Sequence, residues 1–477
     1  MKFAFVSASP NESIENLEVR RASASFPPLG ILYLASVLEQ EGFDVSILDQ
    51  PAMGYNLSET LRWLEKEDPD VVGFSALMSS GRLAGLLSSK IKETKPDIVT
   101  LVGNHYATFN AEHILRKHPF VDIVVRGEAE ETIVDLAKHL VTGDDLKQVN
   151  GIAYRKEGKA TLTPERPLLK NLDLLPFPDR KLLSAEYHCF IAGVNIAPKK
   201  FTGILSSRGC SYLCRFCNCT AIFRNYWRSR SALNTLDELL QLESEGYKQL
   251  VFVDDNFTLN PARVIELCRG MRKEKLDLEW IAEGRVDVWS SEMFREMVAA
   301  GLRVMYFGIE NANQRLLDYY NKKVTPEQAE KAVRAARKAG VDIIVGSFVI
   351  GASDETREEI KNTIEFAKRI PLDIPQFNIL CAYPGNDLWD EFVEKGVIDE
   401  EKYWETGINL SKVAADAVPL EVIRQMLNKA FASFVMRPKF MFAQAARTMQ
   451  SHYRMNMFLN NINRATIIRK NLSDLNL

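Results

Sequence analysis

Thr202-Gly-Ile-Leu-Ser-Ser-Arg-Gly-Cys210-Ser-Tyr-Leu-Cys214-Arg-Phe-Cys217 reads as a short strand, Thr202–Ser206, running into a tight loop with three cysteines. Fe–S clusters are held by thiolates and normally take four. Three in one loop leave one iron of a [4Fe–4S] cluster without a protein ligand, open to substrate or cofactor as at a catalytic metal. A structural zinc site is the plainer reading. It wants four nitrogen or sulfur ligands, usually as two separated pairs. Cys219 offers a fourth thiol, but no later Cys-x2-Cys pair follows. Cys189, Cys268 and Cys381 are isolated, and Cys268 falls in a helical pattern as a small buried hydrophobe.

Downstream, aliphatic strands alternate with amphipathic helices. Strands are expected at Thr202–Ser206, Leu250–Val253, Leu278–Ala282, Val304–Ile309, Ile343–Ile350 and Gln376–Leu380. Helices are expected at about Leu233–Glu245, Pro261–Arg272, Ser291–Ala300, Pro326–Ala339 and Asp354–Arg369. The repeat predicts a partial (β/α)6 barrel over residues 196–395. Barrels of this type carry their chemistry at the C-terminal ends of strands. Polar residues cluster there: the cysteine loop, then Asp254-Asp255-Asn256, Glu283 and Arg285, Glu310-Asn311, Gly351, and Tyr383-Pro384-Gly385. Scattered structural charges would not keep that register, and it tells against zinc.

Upstream, the same alternation begins at residue 2. Strands are expected at Lys2–Ser7, Asp44–Leu48, Asp70–Ser75, Ile98–Val102 and Val121–Val125. Helices are expected at Leu29–Glu41, Leu57–Glu67, Leu83–Thr94, Ala111–Lys117 and Glu130–Leu140. This predicts a doubly wound, Rossmann-like α/β domain over residues 1–140, with ligands outside the carboxyl ends of its strands. A linker over 141–195, with hairpin chemistry at Ala153–Lys159, leads to the barrel.

At 477 residues and 46% apolar content, the chain can build two or three sizeable cores. A net charge of −3 argues against general nucleic-acid affinity. The clustered cysteines suit metal chemistry in a reducing compartment. With no signal peptide and no membrane-spanning run at the start, a cytoplasmic protein is expected. A helical, basic C-terminal region is expected over 396–477. From Val422 to Ser473 there is no acid, while Arg424, Lys429, Arg437, Lys439, Arg447 and Arg454 interleave with Phe and Met. That pattern suits a peripheral contact with an anionic membrane, or a helical cap on the barrel with solvated charges.

The Cys-x3-Cys-x2-Cys spacing, with Phe216 before the last cysteine, resembles the radical S-adenosylmethionine (SAM) superfamily. Phe26-Pro27-Pro28-Leu29-Gly30, Val72-Gly73-Phe74-Ser75-Ala76-Leu77, Gly103-Asn104-His105-Tyr106 and Val125-Arg126-Gly127-Glu128-Ala129-Glu130 resemble its cobalamin-binding subgroup. So do Phe252–Phe257, Phe307–Asn311 and Ala382–Gly385 in the barrel. That subgroup includes the anaerobic protoporphyrin ester cyclase, hopanoid methylases and P-methylases, and the similarity covers about residues 1–390.

The resemblance implies three cofactors: a [4Fe–4S] cluster, SAM and cobalamin. Cys210, Cys214 and Cys217 would hold the cluster, whose open iron chelates SAM and delivers the electron that cleaves it to a 5′-deoxyadenosyl radical. Phe216, Asp254, Asp255, Glu283, Arg285 and Glu310 would surround SAM. Among these, Arg285 is expected on its carboxylate, Asp254 or Asp255 on its ammonium, and Glu310 on its ribose. Pro28, Leu29, Gly30, Ser75, Leu77, Gly103, His105, Gly127, Glu128 and Glu130 would surround cobalamin. Relatives usually carry Pro at Ser211, Gly at Asn104, and Pro-Gly-Glu-Thr where Ala352–Thr356 runs. The loop Ser7–Ser13 has no histidine, so the cobalt is not expected to take one from it.

The implied reaction modifies an unactivated carbon, by methyl transfer from methylcobalamin to a hydrophobic small molecule or a lipid- or tetrapyrrole-like substrate. A non-methylating cyclase or oxidase would use the same cofactors. A one-electron donor such as flavodoxin or ferredoxin is implied as partner. A tRNA-methylthiolating enzyme would need more upstream cysteines than Cys189 alone. An electron-transfer or sensing protein would need neither the open iron nor the polar strand ends.

Overall fold

A computed structural model describes residues 1–9, 26–401, 403 and 417–462. They fall into two compact units, Met1–Tyr187 (with Glu400, Glu401 and Tyr403) and His188–Asp399 continued through the C-terminal helices.

The first unit is built on a seven-stranded sheet. Five strands are parallel, in the order Asp44–Asp49, Lys2–Ser7, Val71–Ser75, Val99–Gly103, Ile123–Val125. Their apolar runs are buried on both faces, as parallel strands flanked by helices require. The helix Leu57–Glu67 starts where its local chemistry dictates, in a reciprocal cap between Asn56 and Glu59. Another, Asn104–Lys117, begins seven residues ahead of the expected Ala111, because it carries through a non-helical kink at Asn110. An antiparallel hairpin, Ile152–Lys156 with Lys159–Leu162, completes the sheet. Its turn puts Glu157 and Gly158 at φ 50° and 78°, the two-residue geometry that follows strand twist. The first half of the expected linker is therefore sheet, and the unit continues to Tyr187 rather than ending at residue 140. Pairing with Ile152 and Ala153 covers the three-residue edge strand Ile123–Val125, which would otherwise leave its backbone groups open.

The second unit holds six parallel strands in chain order: Phe201–Ile204, Gln249–Phe252, Glu279–Arg285, Leu302–Glu310, Ile343–Ile350 and Ile374–Ile379. Helices Ala232–Ser244, Pro261–Lys273, Ser291–Ala299, Pro326–Ala339 and Arg357–Arg369 connect them. This is the expected partial barrel. Leu250, Phe252, Trp280, Ala282, Met305, Phe307, Ile344 and Phe348 form one core with apolar side chains of the helices. By the period-two rule, the alternate residues Val251, Glu283, Tyr306 and Ser347 face the lumen. The third strand is longer than expected, so Glu283 and Arg285 lie within it rather than after it.

Helices Leu420–Val435, Pro438–Gln450 and 452–462 pack on the barrel and belong to its unit. Ile423 and Ala430 join Ile350, Ile360 and Ile364, and Phe434 enters the main core. Asp373, just ahead of the sixth strand, ties the rest together. It accepts hydrogen bonds from Ile344 N (2.7 Å), Gln444 Nε2 (3.0 Å), Arg447 Nη1 (3.1 Å), Arg454 Nη2 (2.9 Å) and Arg337. Arg437 lies over the Phe434 ring at 4.2 Å. Neither reading of the tail holds whole. Three of its cations serve the barrel rather than solvent, whereas Met436 and Phe442 are 74% and 77% exposed beside exposed Lys439. Among the described residues no helix is long and apolar enough to cross a membrane.

Candidate functional site

The cysteine loop leaves the first barrel strand and is fixed on three sides. At its base, Asp254 accepts hydrogen bonds from Ser206 N (2.7 Å), Ser206 Oγ (2.6 Å) and Ser207 Oγ (2.6 Å). Gly209 turns at φ 84°, where a β-carbon would stand 2.2 Å from the Tyr226 carbonyl, so only glycine fits. Its N–H donates to Asp255 Oδ2 at 2.8 Å. From the segment after the fourth strand, Tyr320 O accepts from Arg215 N (3.0 Å) and Asn321 Nδ2 donates to Leu213 O (2.7 Å). The Phe216 and Tyr320 rings meet edge-on at 5.5 Å. From the segment after the sixth strand, Asn386 Nδ2 donates to Phe216 O (3.1 Å) and Asn218 Nδ2 to Pro384 O (2.9 Å).

The donor set fits an Fe–S cluster. Asn256 Nδ2 and Arg285 Nη1 each stand 3.8 Å from a sulfur, Cys210 and Cys214 respectively. Such N–H donors favour thiolate. Burial pushes the Cys214 thiol up, and the cations of Lys322 and Arg285 oppose it. Cys217 is lowered to about 7, chiefly by a hydrogen bond from Cys219, whose own thiol is raised.

The residues expected around SAM divide. Asp254 is fully buried and occupied by the two serines, so of the acidic pair only the exposed Asp255 remains for an ammonium. Arg285 is committed as well. It grips Asp287 with Nε (2.9 Å) and Nη2 (3.0 Å), donates to Lys322 O (2.7 Å), and lies 3.5 Å over the Tyr212 ring. It buttresses the loop rather than waiting for a carboxylate. Glu310 is buried against Lys322 Nζ at 2.6 Å. Glu283 faces the lumen. Solvent reaches its side chain, yet burial of the carboxyl, then repulsion from Asp255 and Glu310, pushes it up to about 7.

That shift has a checkable consequence. An acid whose folded pKa lies above its unfolded value holds its proton longer in the native state, so stability falls as pH rises from about 4.5 through about 7. Replacing Glu283 by glutamine is expected to raise Tm at pH 8 and leave it unchanged at pH 4. Melting curves of both proteins across that range check this; a constant offset at all pH values would contradict it.

Sequence reading missed several lumen residues. Tyr306 Oη donates to Gln376 Oε1 (2.9 Å), Gln376 Nε2 to Asn378 Oδ1 (3.3 Å), and Asn378 Nδ2 to Ser347 Oγ (3.0 Å). The signal was present as alternation: polar residues two apart in Gln376-Phe-Asn378 cannot both face an apolar layer. Lys322 had no such signal.

In the first unit, the residues expected around cobalamin lie at the carboxyl edge of the parallel strands, where doubly wound sheets take ligands. Gly30 and Gly127 open onto unfilled space, as does Gly103 save for Val125 Cβ at 4.0 Å, and Leu77 is half exposed. Among the described residues nothing covers this small-residue shelf, which suits a broad planar group. Asn104 takes φ 79°, a left-handed backbone that Asn tolerates in place of Gly. Its side chain donates to Ser75 Oγ (2.9 Å) and contacts the exposed His105 ring (2.6 Å). Others are turned inward. Leu29 and Glu130 are buried and Glu128 Oε2 accepts from Leu169 N (3.0 Å), while half-buried Pro28 occupies the N-cap position of its helix without a side-chain cap bond. Of the histidine-free loop, residues from Pro10 to Ser13 lie outside the described set.

Comparison with known proteins finds both domains. The model of the radical SAM superfamily matches residues 204–367, and that of the B12-binding domain matches residues 19–137. The chain is 36% identical over 415 residues to an uncharacterized methyltransferase of Pyrococcus horikoshii, covering 87% of this chain and 88% of that protein. It is 31% identical to the anaerobic magnesium-protoporphyrin IX monomethyl ester cyclase of Rubrivivax gelatinosus, over 80% of this chain and 69% of that one. A radical SAM methyltransferase of Kitasatospora setae, solved with cobalamin and a [4Fe–4S] cluster, shares the fold at a TM-score of 0.66 and 19% identity, over 83% of this chain and 75% of that one.

Proposed function

The chain belongs to the cobalamin-binding radical SAM family, whose cofactors are a [4Fe–4S] cluster, SAM and cobalamin, and we propose that it methylates an unactivated carbon of a small molecule. The observation that carries this reading is the three-thiol loop, braced over the C-terminal ends of a parallel barrel in a chain that also holds a B12-binding domain. When bound, these groups supply a radical able to take hydrogen from carbon and a methyl group to replace it.

The protein's share is binding, orientation and exclusion of water. Cys210, Cys214 and Cys217 would hold the cluster, with Asn256 and Arg285 donating to two of the sulfurs. Asp255 and Glu283 would offer carboxyls to a cationic cofactor, and Glu310, fixed by Lys322, would offer one acceptor to its hydroxyls. The row Tyr306, Gln376, Asn378 and Ser347 gives the lumen hydrogen-bonding groups. These groups pair with one another in the free lumen and keep further hydrogen-bonding capacity, which suits a substrate with polar substituents, as a tetrapyrrole has, better than a bare hydrocarbon.

The test is anaerobic reconstitution with cobalamin, a strong one-electron reductant and candidate substrates. Methyl transfer predicts both 5′-deoxyadenosine and S-adenosylhomocysteine. Deoxyadenosine without the homocysteine product would replace methylation by a cyclase or oxidase reaction.

A further inference from the structure

The short segment Tyr319–Lys323, between helices Gln314–Tyr319 and Pro326–Ala339, does more than connect them. Asn321 and Lys323 both adopt left-handed backbone, at φ 53° and 58°, conformations that side chains other than glycine rarely take. Between them the Lys322 side chain turns inward and is 7% exposed. Its ammonium lies 2.6 Å from Glu310 Oε1, and Glu310 is itself buried at φ 66°. A β-carbon on Gly308 would fall 2.5 Å from that carboxylate oxygen and 2.9 Å from the ammonium, so the pair occupies the space a side chain would fill. The same segment holds the cysteine loop through Tyr320 O, Asn321 Nδ2 and the Tyr320 ring. Lys322 O accepts from Arg285 Nη2 at 2.7 Å, and Arg285 Nη1 reaches Cys214 Sγ. The segment that carries Lys322 is thus in contact with the cysteine loop directly, and reaches one ligand sulfur through a single intervening side chain, Arg285.

Resting on the cluster reading above, we propose that Lys322 is a positioning residue that fixes Glu310 and sets how readily the Fe–S centre held by Cys210, Cys214 and Cys217 accepts an electron. Reduction adds negative charge to the cluster. A buried cation nearby favours it, and a buried, unpaired carboxylate opposes it. Removing the ammonium alone changes both in the same direction. Removing the ammonium and the carboxylate together leaves the local charge nearly as it was.

The experiment is a redox titration of the full-length, anaerobically reconstituted protein, followed by electron paramagnetic resonance of the reduced cluster, with iron content and melting temperature measured on each sample. Lys322→Met is expected to make the cluster at least about tenfold harder to reduce, a shift of about 59 mV for one electron. Lys322→Arg and the double variant Lys322→Met/Glu310→Gln are expected to stay within about threefold of the parent. A Lys322→Met protein with full iron and an unmoved potential overturns the proposal. So does a double variant shifted as far as the single one, which would show a role in packing rather than charge. Should Lys322→Met fail to hold its iron, the double variant and Lys322→Arg decide the question. A parent protein that takes up no cluster instead refutes the cluster reading itself.

Discussion

Replacing Cys214 by alanine is expected to abolish deoxyadenosine formation, by at least about a thousandfold, the order seen when an essential catalytic group is deleted. Cys214 is the buried member of the trio, its sulfur faced by Arg285 and within the field of Lys322. Without that thiolate the loop offers two ligands, and Arg285 Nη1 loses its sulfur acceptor. The fold should survive, because the loop is held by backbone and asparagine contacts that do not involve the sulfur. Iron content, the cluster's visible absorbance and the melting temperature, measured together, check this. A Cys214→Ala protein that keeps four irons and turns over would mean that another side chain, Cys219 first among them, ligates in its place. Replacing Cys268, fully buried in the barrel core and remote from this chemistry, should leave iron content unchanged.

Asp373→Ala is expected to cost about 3–5 kcal/mol of stability, the range for removing one partner of a buried ion pair. Its carboxylate neutralises Arg454, which is as buried as it is, and also takes hydrogen bonds from Arg337, Arg447, Gln444 and the Ile344 amide. Removing it leaves three guanidinium groups facing one another with no anion between them. For a unit of this size the loss is on the order of 10 °C in Tm. The C-terminal helices, which reach Asp373 through Arg447, Gln444 and Arg454, should also become cleavable by protease under conditions where the parent resists. Asp373→Asn keeps an acceptor oxygen and should lose less. An unchanged melting temperature in Asp373→Ala would show that the apolar contacts of Ile423, Ala430 and Phe434 hold the tail by themselves.

Local chemistry was enough for much of the fold. Lys2–Ser7 and Ile343–Ile350 form where they were expected, because an apolar run bounded by turn residues has few other ways to bury itself. Leu57–Glu67 begins and ends as expected because its cap is encoded within four residues. The three cysteines needed only their mutual spacing, since one loop supplies all of them. Where a boundary moved, distant contacts were responsible: the hairpin after residue 150 became sheet because an exposed edge strand was available to pair with it.

The sequence by itself thus determined the order of strands and helices, the two α/β units and the close spacing of the three cysteines, because each depends on residues a few positions apart. Tertiary structure alone decided which acid of Asp254-Asp255 is a buried strut and which is open, since adjacent residues leave the chain in opposite directions. It also decided that Arg285 grips Asp287, that Lys322 turns inward to Glu310, and that Asp373 is shared by arginines 36, 74 and 81 residues away. Charged side chains carry no periodicity that names a partner. Their pairing is set by distance and burial through space, which exist only once the chain has folded.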